Sequence, residues 1–153
     1  FDTLHVPPPH AAPIFLKDSP LADTNGFCEI DQKTLRHVRY ENVFSLGNAC
    51  SAPNAKTAAA ARKQIVVVAE NLLAAKEDRE MPIQYDGYGA CPLTVENGKV
   101  VLAEFGFGGK LLPTLPLEPT KASRFAWFLK AKLFPWLYWN GMLKGHEWMT
   151  KIK

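Results

Sequence analysis

The stretch from Ala55 to Lys76 constrains the fold most, because it is rich in Ala with Leu, Lys and Glu, all of which favour a helix. Pro53-Asn54 marks its entry, and charged residues before Pro82 mark its end. Upstream, Gly26-Phe27-Cys28-Glu29-Ile30-Asp31 alternates apolar and polar residues as a half-buried strand does. Val43-Phe44-Ser45-Leu46 then reads as a short buried strand ending at Gly47. Strand, glycine turn and helix N-terminus therefore follow in that order. Before them, residues 1–20 hold Pro7, Pro8, Pro9, Pro13 and Pro20 and read as a strand end running into a loop.

Downstream of the helix, residues 83–107 return to strand signals. Val95-Glu96-Asn97-Gly98-Lys99-Val100 predicts a hairpin around an Asn-Gly turn, with Val100 to Phe105 as the return strand. Gly106, Gly108, Gly109, Pro113, Pro116 and Pro119 then predict an irregular connection. The fold class is α/β, or α+β if the chain is a piece of something larger.

With 153 residues, 47% hydrophobic and 22% charged, the chain is about one globular domain in size, which excludes disorder and fibre. No apolar run is long enough to cross a membrane: Ile65 to Ala69 is stopped by Glu70 and Asn71, and Leu133 to Trp139 is too short. The chain begins at Phe1 with no signal peptide, so it is expected to be processed or cut from a longer protein.

The net charge of +3 is too small to argue for a nucleic-acid partner, but it conceals an asymmetry. Residues 121–153 hold seven basic residues (Lys121, Arg124, Lys130, Lys132, Lys144, Lys151 and Lys153) against Glu147 alone, a net +6, which leaves −3 for the first 120. The same segment holds all four tryptophans, Trp127, Trp136, Trp139 and Trp148, with Phe125, Phe128, Phe134 and Tyr138. Lysines among aromatics on short helices, broken at Pro135, suit a segment lying in a lipid headgroup region. The alternative is a helical hairpin packed on its own protein, aromatics inward and lysines solvated.

Chemistry is sparse. Gly47 and Asn48, delivered by a strand to the start of a helix, have the layout of a cofactor contact, and equally of an ordinary polar turn. Cys91 sits in Tyr88-Gly89-Ala90-Cys91-Pro92, where small residues and proline predict a bend that leaves the thiol reachable; the alternative is a buried structural cysteine. Cys28 reads as core, and Cys50 as either core or turn. Three cysteines with no CxxC, and the scattered His5, His10, His37 and His146, give no metal site, and no disulfide framework is expected. No catalytic triad or carboxylate pair stands out.

Taken in order, five motifs resemble the C-terminal third of the sulfide:quinone oxidoreductases, flavoproteins of the pyridine-nucleotide-disulfide reductase superfamily. They are Asn42 to Asn48, Lys56 to Ala60, Tyr85 to Leu93, Val101 to Phe105 and Pro135 to Asn140. The resemblance implies a peripheral enzyme of the bacterial inner membrane, or alternatively the mitochondrial one, that oxidises sulfide at paired cysteines, passes electrons through FAD and reduces quinone. Cys91 matches the redox cysteine that carries sulfane sulfur, its partner lying before Phe1. Gly47 and Asn48 match the flavin-binding turn, where the family usually has Asp. Lys56 and Thr57 match the helix start beside the flavin. Phe128 and Lys130 fall where the family places its quinone pocket. Gly106-Phe107-Gly108-Gly109 is not a dinucleotide fingerprint, because it leads into Leu-Pro repeats instead of a helix.

The chain is thus expected to be part of a flavoprotein with two dinucleotide-binding domains, inactive alone. Residues 1–80 would be the remnant of a dinucleotide-binding domain, 81–120 a hairpin segment with the redox cysteine, and 121–153 amphipathic membrane-surface helices. The resemblance also implies a homo-oligomer. The rival expectations are a type II NADH:quinone dehydrogenase-like flavoprotein and a non-catalytic membrane-binding module.

Overall fold

The computed structural model describes residues 2–4, 6, 8–53 and 56–146. Phe1, His5, Pro7, the Asn54-Ala55 entry to the long helix, and the tail end from Glu147 with Trp148, Lys151 and Lys153 lie outside the described residues. The architecture is a small α/β fold with one two-stranded antiparallel sheet and helices on either side of it in sequence.

After a single helical turn, α1 (Ile14–Lys17), the long helix α2 runs Ala58–Lys76. It starts where Thr57 caps it, the Thr57 hydroxyl accepting from the Ala60 N–H at 3.2 Å. Ala60, Gln64, Val67, Asn71 and Ala74 are buried, spaced three or four apart as one helix face requires. The two polar members of this stripe have partners. The Gln64 side chain accepts from the Gly47 N–H at 2.7 Å. The Asn71 amide donates to the Thr34 and Ile83 carbonyls, each at 3.0 Å, and accepts from the Ile83 N–H. α2 is thereby tied to the segments before and after it.

The two strands expected upstream do not form as strands. Residues 26–31 keep the expected alternating burial, yet they and residues 43–46 make only isolated bridges, Ala22 with Cys28, Cys28 with Cys50, Ile30 with His37 and Arg36 with Phe44. The backbone turns too often for a ladder: Gly26 and Leu35 have positive φ, and Asp31 accepts from the N–H groups of Lys33 and Thr34 in a tight turn. These crossings nevertheless enclose the larger core, in which Cys28, Ile30, Leu35, Cys50, Val67 and Tyr85 are buried together. Cys28 is core, as expected, and Cys50 joins it.

β1 (Gly89–Glu96) and β2 (Lys99–Phe105) form the expected hairpin, with Glu96 opposite Lys99 and Gly98 at φ +75° in the turn. No bend occurs at Cys91, which lies within β1 opposite Ala103. Pro92 is tolerated because a two-stranded ribbon leaves every second residue's backbone facing outward, where proline removes no ladder bond. Its carbonyl is on that side and accepts from Lys130 Nζ at 2.9 Å.

The inward residues of β2, Val100 and Leu102, pack with Ala126, Trp127 and Phe134 in a second, smaller core. The tail runs as α3 (Arg124–Phe128), a π-helical turn (Leu129–Leu133) and α4 (Phe134–Asn140). The break expected at Pro135 does not occur. Proline clashes with the carbonyl one turn back, and the widened π turn just ahead of it supplies the room. No described helix is long and apolar enough to cross a membrane.

Candidate functional site

A cavity of about 360 Å³ lies where α2, the hairpin and the tail meet. Its α2 wall is Ala58, Ala59 and Arg62, and its tail wall includes Phe134, Leu137, Tyr138 and Met142. From the hairpin come Ala90, Pro92 and Leu102, so most of the lining is apolar. At one end stand Tyr88, Glu104 and Thr114.

Glu104 is the third inward residue of β2 after Val100 and Leu102, and alternation therefore buries it, leaving only 4% exposed. Oε1 accepts from the Tyr88 and Thr114 hydroxyls, both at 2.5 Å, and Oε2 from the Thr114 N–H at 3.0 Å. Burial pushes the Tyr88 phenol up to about 12, aided by its bond to Glu104. Lys63 Nζ lies 4.3 Å from the Tyr88 ring centroid and 3.4 Å from Asp86, which accepts in turn from the Tyr88 N–H. The run Tyr85-Asp86-Gly87-Tyr88 is thus a device for holding Tyr88. The buried Tyr85 hydroxyl donates to the Tyr88 carbonyl, and Gly87 packs its backbone on Phe107.

The residues singled out from sequence fall around this cavity and not in it. Cys91 alternates with Ala90 and Pro92, so its side chain faces away from the cavity, toward the outer face of the hairpin with Leu93 and Val95. That face is apolar and open, with Leu93 and Val95 about half exposed. Cys91 is partly exposed, whereas Cys28 and Cys50 are buried.

Gly47 has φ +66° and begins a short helical turn, Gly47–Ala49, with Asn48 exposed beside it. The Gly47 N–H is taken by Gln64 and the Thr57 hydroxyl by the helix cap. Lys56 Nζ donates to the Cys50 carbonyl and lies 4.4 Å from the Phe27 ring centroid. Phe128 is exposed, and Lys130 bonds Pro92 and Thr94, fastening the tail to β1; neither lines the cavity. Glu104 and Thr114 were not legible as site residues. The one available signal was an acid at the inward end of an alternating strand. Among the described residues, no three His, Cys, Asp or Glu side chains converge as a metal site needs.

The tail divides its aromatics. Trp127 and Phe134 pack inward, while Phe125, Phe128, Trp136, Tyr138 and Trp139 are exposed, with Leu143 beyond them. Packing all the aromatics inward, one of the two expectations, is therefore not what the tail does.

No known family profile matches the chain. Over 152 residues, 99% of the chain, it is 44% identical to a Dictyostelium discoideum protein named mitochondrial sulfide:quinone oxidoreductase. It is 38% identical over 146 residues, 95% of the chain, to the Mus musculus protein of the same name. The Schizosaccharomyces pombe protein of that name is 33% identical over 97% of the chain. The chain spans about a third of the length of these relatives. Among solved structures, a chain in the Tetrahymena thermophila mitochondrial ATP synthase tetramer superposes on 87% of it with a TM-score of 0.68 and 27% identity, covering 30% of that chain. Across nearly its whole length, then, the chain is homologous to a third of a sulfide:quinone oxidoreductase, as its five motifs imply.

Proposed function

We propose that the chain forms the thiol-bearing, quinone-facing and membrane-facing part of an enzyme that oxidises sulfide and reduces quinone, acting with a flavin-binding portion supplied by further sequence. The observation that carries this reading is the 44% identity over 152 residues, within which Cys91 keeps a partly exposed thiol on an open face.

Cys91 enters the reaction as one half of a disulfide with a second cysteine. Sulfide bonds to the Cys91 sulfur as the disulfide breaks, leaving a persulfide on Cys91 and a thiolate on its partner. A bond closing between the partner's thiolate sulfur and the outer persulfide sulfur then releases two electrons and a proton, and the two electrons pass from sulfur to quinone, which takes up two protons to become quinol. FAD, the cofactor the resemblance implies, would supply the two-electron step between them. The α2 end fits such a group in part. Asn48 is exposed there, and a helix leaves its first N–H groups without intrahelical partners, of which Thr57 caps one. Gly47 shapes the turn and Lys56 places a positive charge near the helix start, although its ammonium is also engaged by Cys50.

Quinone would enter the cavity between α2, hairpin and tail, its ring toward Tyr88, Glu104 and Thr114. Lys130 secures that wall, and Phe128 belongs to the exposed aromatic face that meets the lipid surface. The same reading extends to the division into residues 1–80, 81–120 and 121–153, to a peripheral membrane location and to homo-oligomeric assembly. Alone, the 153 residues are expected to bind flavin weakly or not at all and not to turn over. Sulfide treatment of the longer, flavin-loaded protein, followed by peptide mass analysis, is expected to find an extra sulfur on the Cys91 peptide. Sulfur found only on other cysteines would overturn the assignment.

The likeness to a chain in a mitochondrial ATP synthase assembly favours a second reading, a non-catalytic module seated in a membrane complex. In that case Cys91→Ser leaves function intact, while deletion of the exposed tail removes it.

A further inference from the structure

The polar end of the cavity has a direction that three side chains fix. Glu104 reaches it from β2, Tyr88 from the loop before β1 and Thr114 from the loop after β2. A carboxylate only accepts hydrogen bonds, and a hydroxyl has a single proton to give. Tyr88 gives its proton to Glu104 Oε1, and so does Thr114, while the Thr114 N–H serves Oε2. The two hydroxyl oxygens stand 3.3 Å apart, where either could also donate to the other, so both protons are used within the cluster. What they offer the cavity is lone pairs.

We infer that this end of the cavity is a hydrogen-bond acceptor set by Glu104, and that it selects a ligand presenting a hydroxyl, such as a quinol, over one presenting a bare carbonyl, such as a quinone. The inference rests on reading the cavity as a quinone site. A carbonyl there faces lone pairs unless a hydroxyl abandons Glu104 and leaves a buried carboxylate oxygen less well bonded. A ligand hydroxyl donates to Tyr88 or Thr114 with Glu104 undisturbed, and its own oxygen remains open to a donor. Arg62 is on the same lining, Tyr138 and His146 line the tail side, and Lys63 sits over the outer Tyr88 ring. In a quinone-reducing protein, the reduced product is then the tighter ligand.

The test measures binding to the longer, flavin-loaded protein near neutral pH and without oxygen, using two probe pairs: decylubiquinol with decylubiquinone, and para-nonylphenol with its methyl ether. In each pair the hydroxyl member is expected to bind about tenfold more tightly. In Glu104→Gln, whose amide donates and so turns a hydroxyl proton outward, the ratio is expected to fall within about twofold. Tyr88→Phe narrows the ratio without abolishing it, and decides the matter if Glu104→Gln does not fold. Equal binding within each pair, or tighter binding of the carbonyl and ether members, overturns the inference while the cavity remains a quinone site. A preference within the phenol pair with neither ubiquinone form bound supports the acceptor and removes the quinone reading. Failure of all four probes to bind overturns both.

Discussion

Gly87 holds the site's geometry where no other residue fits. Its φ is +79°, and a Cβ there would lie 2.5 Å from the Phe107 ring and backbone nitrogen, far inside contact. Gly87→Ala is expected to cost more than about 2 kcal/mol of stability in urea unfolding. A loss within experimental error would show that the Tyr88 loop does not depend on this contact. Two tyrosines beside it set a pH dependence. Burial raises both phenols above the ordinary value of 10, Tyr88 to about 12 and Tyr85 in the same direction. Because the folded state holds these protons more tightly than the unfolded one, their contribution to stability is full below about pH 10 and is lost as pH rises through the folded values. Urea midpoints are expected to fall across that range, less steeply for Tyr88→Phe, and a flat profile would contradict the burial of these groups. At this scale the sequence spoke unevenly. Cys91 and Gly47 stood out by motif, whereas Glu104 did not, because an acid at a strand position reads as solvated until its neighbours are known.

At the scale of elements, α2 and the hairpin could be read directly, since helix-forming composition and an Asn-Gly turn act locally. The upstream strands could not. The alternation at residues 26–31 was real, but whether an alternating segment pairs along its length depends on partners that local sequence does not specify. Proline misled twice because its cost depends on its setting: at Pro92 the missing N–H falls on the outward side of the ribbon, and at Pro135 a widened turn relieves the clash with the turn before it. The tail makes its own prediction. Trp136 and Trp139 are 56% and 64% exposed and hold no core together, so replacing both with Ser should leave the fold intact. Co-sedimentation with anionic vesicles is expected to fall about tenfold or more, because interfacial binding scales with buried apolar area and basic charge. Unchanged sedimentation would mean that the exposed aromatic face is not what meets the lipid.

For the whole molecule, the mild net charge describes a −3 body carrying a +6 tail. The body packs around α2, and the tail packs around the inner face of the hairpin. Cavity and thiol use opposite faces of that hairpin, the cavity toward the tail and Cys91 outward. The hairpin thus stands between the Cys91 thiol, proposed to carry sulfur, and the cavity proposed to take quinone. The central claim is that Cys91 carries the sulfur chemistry, and the most direct measurement is sulfide-dependent quinone reduction by the longer, flavin-loaded protein bearing Cys91→Ser. The account predicts loss of the rate to background with flavin content unchanged; a rate equal to that of the unsubstituted protein would contradict it.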